Sequence, residues 1–188
     1  MTGFSTARRI LDMNGLYNVS IETVRGEMTD HYDPRANVIR LSEGVYNSNS
    51  IAACGIAAHE AGHALQYAKE YGPIKLRAAV IKSANIGSQL AMPLFFIGII
   101  LAITELCWAG IIAFSAAVLF QLITLPVEFN ASRRAVECIE SFGASEKDME
   151  GTRKMLTAAA MTYVASLAVS LLSLLRLIAI VQGNNRRR

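Results

Sequence analysis

Ile51-Ala52-Ala53-Cys54-Gly55-Ile56-Ala57-Ala58-His59-Glu60-Ala61-Gly62-His63-Ala64-Leu65-Gln66-Tyr67 is the stretch whose reading decides the architecture. It carries no proline, has Asn49 or Ser50 as N-cap and runs toward Gly72-Pro73, so it reads as one helix from Ser50 to Tyr71. Within it His59 and His63 stand four residues apart and therefore on one helical face. Two imidazoles so placed can reach one zinc ion at about 2.0 to 2.1 Å, and Glu60 projects beside the same face toward the remaining coordination position. A carboxylate there can take a proton from water attacking a peptide carbonyl and pass it to the leaving amine. The pattern makes a zincin-like helix, with zinc as cofactor, the leading expectation against a buried structural histidine pair.

The residues after the second histidine narrow the class. A metzincin continues with Gly three and His six residues further on, whereas here those places hold Gln66 and Lys69. The third ligand must come from elsewhere. Besides His59 and His63 the chain has only His31, which a turn could equally hold by hydrogen bonds to Asp30 or Asp33. Otherwise the ligand is a carboxylate, as in His₂Glu sites.

Hydrophobic residues make up 53% of the 188 residues, with a mean hydropathy of +0.35, which is the composition of a membrane protein. Gly87 to Ile103, Leu106 to Val127 and Leu156 to Leu175 are uncharged runs, each matching the about 17 to 25 residues that cross a hydrocarbon core. The expected organisation is a zinc-motif region over 1–85, a transmembrane hairpin over 86–127, a charged helix over 128–155, and a third membrane helix with a basic tail over 156–188. The first and third of these share one side. Lys75, Arg77, Lys82, Arg133, Arg134, Arg153 and Lys154 flank them, so the positive-inside rule places that side in the cytoplasm. The terminal Arg186-Arg187-Arg188 also prefers the cytoplasm, in tension with three full crossings. No cleavable signal peptide is read at the N-terminus, and Cys54, Cys107 and Cys138 lack C-x-x-C spacing, as suits reduced thiols.

On that shared side Glu128 opens a charged helical stretch directly after the second span and is the best candidate for the third ligand. Glu137 and Glu140 are rivals that also read as solvated charges paired with Arg133 or Arg134. Upstream of the motif, Ala7 to Met13 reads as a short helix, Val19 to Val24 as a strand, Thr29 to Pro34 as a turn, and Asn37 to Leu41 as a second strand. An exposed strand edge near a metal can dock an extended peptide, which makes Val38, Ile39, Arg40 and Leu41 candidate substrate contacts; an ordinary hairpin strand is the alternative. A net charge of +3 is accounted for by the membrane flanks, and no nucleic-acid partner is indicated.

Met28-Thr29-Asp30-His31-Tyr32-Asp33-Pro34, Val38-Ile39-Arg40-Leu41-Ser42, Ala57 to Ala64, and Leu125-Pro126-Val127-Glu128-Phe129-Asn130-Ala131-Ser132-Arg133-Arg134-Ala135 occur in this order. Together they resemble the YugP-type bacterial membrane zinc peptidases over nearly the whole chain. The resemblance implies a neutral zinc metallopeptidase of the bacterial cell membrane, with His59 and His63 as ligands and Glu60 as catalytic acid and base. Chains of that type usually begin with an additional membrane helix, so one crossing is expected to be missing ahead of Met1. A more distant similarity runs to the HtpX type of membrane gluzincin, whose third ligand lies in a Glu-x-x-x-Asp pattern. Glu128 aligns with that Glu, but Ser132 stands where the Asp would be, and Asn130 or Ser132 is expected to substitute for it in orienting a ligating imidazole.

The expected fold is a mainly α membrane protein with the H-E-x-x-H helix, a small β element and about three transmembrane helices. Its expected partners are the bilayer and a peptide or membrane-protein substrate. A site-2-type intramembrane protease would need an Asp ligand within a span, whereas the aspartates are Asp12, Asp30, Asp33 and Asp148, all outside the spans. A non-catalytic zinc scaffold would need four protein ligands. Tyr163, in the last span, is a candidate oxyanion donor or a helix-packing hydroxyl.

Overall fold

The computed structural model of the chain describes residues 1–185; the Arg186-Arg187-Arg188 cluster lies outside the described residues. The elements, in order, are α1 (Gly3–Met13), β1 (Ser20–Val24), β2 (His31–Asp33), β3 (Val38–Ser42), α2 (Glu43–Tyr46), α3 (Ile51–Ala68), α4 (Gly72–Ile100), α5 (Thr104–Ser141) and α6 (Glu146–Asn185). The architecture is mainly helical with one small sheet, as the sequence leads one to expect. The chain divides into two compact units.

The first unit comprises Met1–Ile74 and Val127–Met161. Its α1 is closed at the N-terminus by a reciprocal capping box between Thr2 and Ser5, which satisfies helix N–H groups that would otherwise lack acceptors. Arg8 then ties α1 to the following loop, donating to the carbonyls of Leu16 (2.9 Å) and Val19 (2.7 Å) and to Asp12 (2.9 Å). The motif helix α3 starts at Ser50, whose hydroxyl accepts from the Ala53 N–H. It ends at Ala68, short of the expected Tyr71, because Glu70 at a φ of 51° reverses the chain. Gly72-Pro73, expected to stop α3, instead opens α4, since proline is tolerated in a first turn where its missing N–H costs nothing.

Small residues set how closely α3 packs. Ala53, Ala57, Ala58, Ala61 and Ala64 are buried in the same core as Ile10, Leu11, Ile39, Leu41 and Ala135. At Gly62 a Cβ would lie 2.6 Å from the carbonyl oxygen of Ala131, so only glycine permits this approach of α3 to α5.

The sheet order is β1-β3-β2, with β1 parallel and β2 antiparallel to β3. This corrects the expectation that Val38 to Leu41 present an unpaired edge. Part of the predicted turn, His31–Asp33, forms a third strand and covers the other side of β3, and the Val38, Ile39 and Leu41 side chains are buried in the core. Their backbone is already paired on both sides, so a peptide cannot add there; the strands with a free side are β1 and β2.

The second unit comprises Lys75–Pro126 and Thr162–Arg188. Three helices of the chain, Gly72–Ile100, Thr104–Ser141 and Glu146–Gly183, are long and apolar enough to cross a membrane. Leu90, Phe96, Ile100, Leu119, Leu172 and Leu175 point outward, the reverse of a soluble helix bundle. Inside, the backbones of α4 and α5 meet at small residues: a Cβ on Gly110 would lie 2.7 Å from the carbonyl oxygen of Ala91. Only three residues, Leu101 to Ile103, separate the two helices, with Ala102 at a φ of 56°. The charged helix expected after the second span is no separate element, because α5 runs through Pro126 to Ser141 without a break.

Ser145 and Asn184 lie at opposite ends of the third apolar helix, α6. With Cys54, Cys107 and Cys138 replaced, single cysteines at these two positions are expected to differ toward an impermeant thiol reagent on intact cells. Labelling of both, or of neither, would count against a full crossing by α6.

Candidate metal centre

His59 and His63 occupy one face of α3, and Glu128 reaches them from α5, so the cluster lies wholly within the first unit. The Nε2 atoms of His59 and His63 lie 3.2 and 3.6 Å from the same oxygen, Oε2 of Glu128. The imidazole rings are 4.8 Å apart and nearly perpendicular, at 84°, so each points its nitrogen inward without stacking. Two ligands about 2.0 to 2.2 Å from one tetrahedral ion are separated by about 3.3 to 3.6 Å. The two His–Glu spacings are close to this range, all three donor atoms lie within 4.8 Å of one another, and among the described residues this is the group of three donors that could hold a metal ion.

Burial makes the arrangement consequential. Glu128 is 2% exposed, and a buried carboxylate is costly unless a positive charge or donors face it. Burial disfavours a charged His63, yet the hydrogen bond and charge of Glu128, with the charge of Glu60, outweigh it and raise its pKa above the ordinary histidine value.

The far nitrogens of both rings are held. Ser132 Oγ lies 3.2 Å from Nδ1 of His59, so the hydroxyl standing in place of the gluzincin Asp does contact an imidazole of the cluster. Nδ1 of His63 lies 3.0 Å from Oε1 of Gln66. The Gln66 amide donates to the carbonyl of Val127 (2.7 Å) and to Oδ1 of Asn130 (3.0 Å), and Arg134 Nε donates to that same Oδ1 (2.7 Å). Asn130 thus touches the cluster through Gln66, not directly. Glu60, next to His59 in α3, is buried.

A profile of the family described as "Putative neutral zinc metallopeptidase" matches residues 1–182. The chain belongs to that family. It is also 54% identical over 180 residues, 95% of its length, to the Bacillus subtilis (strain 168) protein named "Putative membrane protease YugP", 80% of which is covered. No solved structure matches it. The resemblance read from the four sequence motifs and the family membership agree.

Not every candidate of this zinc metallopeptidase family member gathers at the cluster. His31 is exposed on β2, its Nδ1 2.7 Å from the Thr29 carbonyl and its Nε2 3.5 Å from Arg40, so it is spent on the sheet. Asp30 binds Ser42 and Asp33 binds Arg40 and not this histidine. Glu137 pairs with Arg133 at 3.7 Å, and Glu140 pairs with Arg153 at 3.4 Å in place of the expected Arg133 or Arg134; all four are exposed. Tyr163 belongs to the second unit, and Glu60, His59, His63 and Glu128 to the first. Gln66 is not recognisable as a site residue from the sequence, where it serves only to break the metzincin pattern. The available signal is an uncharged polar residue three positions after His63, on the ligand face of an otherwise apolar helix.

Glu128→Ala is expected to weaken zinc binding about as severely as His63→Ala, while Glu137→Ala and His31→Ala retain it; chelator competition on purified protein measures this. The raised His63 pKa sets a pH dependence of opposite sign in the two states. In metal-free protein the His63–Glu128 pairing contributes full stability below the unfolded histidine pKa of about 6.5 and loses it as pH rises through the higher folded value. Zinc must displace that proton, so its affinity climbs over the same interval. Melting curves with chelator and with zinc should therefore diverge as pH rises, and parallel curves would contradict the assignment.

Proposed function

We propose that this chain is a zinc-dependent membrane endopeptidase that hydrolyses peptide bonds at the cytoplasmic face of the bacterial cell membrane. The observation that carries this reading is the convergence of His59, His63 and Glu128 on one buried point, beside the buried carboxylate of Glu60. Two imidazoles and one carboxylate leave a tetrahedral ion one position for water or substrate, whereas structural zinc sites are closed by four protein ligands. Zinc held there supplies Lewis acidity, polarising a carbonyl and acidifying water.

The protein's own groups do the rest. His59 and His63 present neutral nitrogens, and Glu128 contributes negative charge and a fixed oxygen. Glu60, one residue from His59, accepts a proton from the attacking water on a carboxylate oxygen and returns it to the amine nitrogen as the peptide bond breaks. The site-2-type alternative gains nothing from the structure, since Asp12, Asp30, Asp33 and Asp148 are hydrogen-bonded to Arg8, Ser42, Arg40 and Ser145.

Three long apolar helices and a relative named as a membrane protease support placement in the bilayer. The cytoplasmic orientation rests on the basic residues flanking the motif region and on Arg133, Arg134, Arg153 and Lys154 after the second span. A peptide, free or part of a membrane protein, is the substrate class.

Glu60→Gln is expected to lower peptide cleavage by about two to four orders of magnitude while keeping about one zinc per chain, because it removes the base and not a ligand. Cleavage at the wild-type rate by this variant would falsify the mechanism, and zinc without any cleavage in the wild type would favour a scaffold.

A further inference from the structure

We propose that Arg134, Asn130 and Gln66 form a relay of hydrogen-bond polarity that fixes the tautomer of His63 and so keeps its Nε2 lone pair facing the metal position. The proposal rests on the reading of His63 as a zinc ligand and adds positioning residues to it.

Each link permits only one orientation. Arg134 is a pure donor, so its Nε, 2.7 Å from Asn130, obliges that side-chain amide to turn its oxygen toward it. The same Oδ1 faces Gln66 at 3.0 Å, and the backbone carbonyl of Val127, which can only accept, faces Gln66 at 2.7 Å. Two acceptors at one end of the Gln66 amide require the NH₂ group there, using both its protons. The other end is then oxygen, and Oε1 lies 3.0 Å from Nδ1 of His63. In the neutral ring, the form that can ligate, an acceptor at Nδ1 holds the single proton there and leaves the lone pair on Nε2, 3.6 Å from Glu128 Oε2. The Gln66 side chain is fully buried, so water cannot substitute for a missing link.

His59 provides the contrast. Its Nδ1 meets the Ser132 hydroxyl, which can donate or accept and imposes no tautomer. The relay therefore gives one of the two histidines a preset polarity that originates in two groups of fixed sense, the Val127 carbonyl and the always-charged Arg134 guanidinium. If the Gln66 amide turned over, its NH₂ would meet Nδ1, the proton would move to Nε2, and that nitrogen could no longer ligate.

The test measures zinc affinity by chelator competition, and the visible absorption of the cobalt(II)-substituted site, on the full chain in detergent. Gln66→Met keeps the length and volume of the side chain but none of its polarity, and Asn130→Leu removes one of the two acceptors that orient it. Gln66→Met is expected to lose about 10- to 100-fold in zinc affinity and to alter the cobalt spectrum, and Asn130→Leu, in which the Val127 carbonyl still faces the Gln66 amide, is expected to lose less. Asn130→Asp keeps an acceptor for both Gln66 and Arg134 and is expected to stay within about threefold of wild type. Should Asn130→Leu fail to fold, Gln66→Met and Asn130→Asp still decide the question. Wild-type affinity and spectrum in Gln66→Met, or a loss in Asn130→Asp as large as in Gln66→Met, would overturn the relay. If the wild type binds zinc and His63→Ala does not, while Gln66→Met is unaffected, the relay alone falls. Failure of the wild type to bind zinc would remove the metal centre and the relay together.

Discussion

One buried carboxylate facing two imidazoles is the constraint around which the first unit is built. Glu128 loses nearly all contact with water, and the interaction that offsets this cost is positive charge at the Nε2 atoms of His59 and His63. That charge can be a proton or a metal ion, and the two compete for the same nitrogens. The three donors therefore act as one electrostatic unit, and removing both imidazoles would leave Glu128 buried without compensation.

Such a unit needs two helices in unusually close contact, and the sequence supplies this through residues with little or no side chain. Alanines along α3 form its buried face, and Gly62, between the two histidines, lies against the Ala131 backbone of α5. Ala131 is three residues after Glu128, less than one helical turn away, so this close contact of the helices falls beside Glu128 and the two histidines. A side chain at Gly62 would push α5 outward and draw Glu128 from the histidines. The glycine of the motif region is thus a condition for the approach of Glu128 to the histidines, although it contributes no donor.

How much of this is legible in the sequence depends on the range over which each feature is encoded. The i and i+4 placement of His59 and His63, the uncharged runs of the membrane helices and the position of Glu128 after the second run are local patterns, and the structure contains them. The strand order is not legible. β1 and β3 both read as short strands, and the three-residue β2 is hidden in a stretch rich in turn formers, so the central place of Val38 to Leu41 depends on pairings between distant segments. The continuity of α5 through Pro126 is masked by the change from apolar to charged composition, which marks a change of solvent and not an end of helix. Gln66 escapes a sequence reading because its role exists only once Val127 and Asn130 are brought to it across 61 and 64 residues.

Ser132 shows why the pattern need not match the more distant gluzincins residue for residue. Glu128 and Ser132 are four apart on α5, as His59 and His63 are on α3, so the two helices present facing pairs, and Ser132 meets His59. A dication in this site is balanced in charge by two carboxylates, and Glu60 and Glu128 are the two that are buried beside it. An aspartate at 132 would add a third buried negative charge, with the desolvation cost that entails. A hydroxyl holds the ring by a hydrogen bond without adding charge. The neutral amide of Gln66 does the same for His63, and the guanidinium that orients it stands at the partly exposed end of the chain of contacts, where its charge remains hydrated. Both imidazoles are thereby steered by neutral groups, and charge next to the donor atoms is confined to the carboxylates that can ligate or carry a proton.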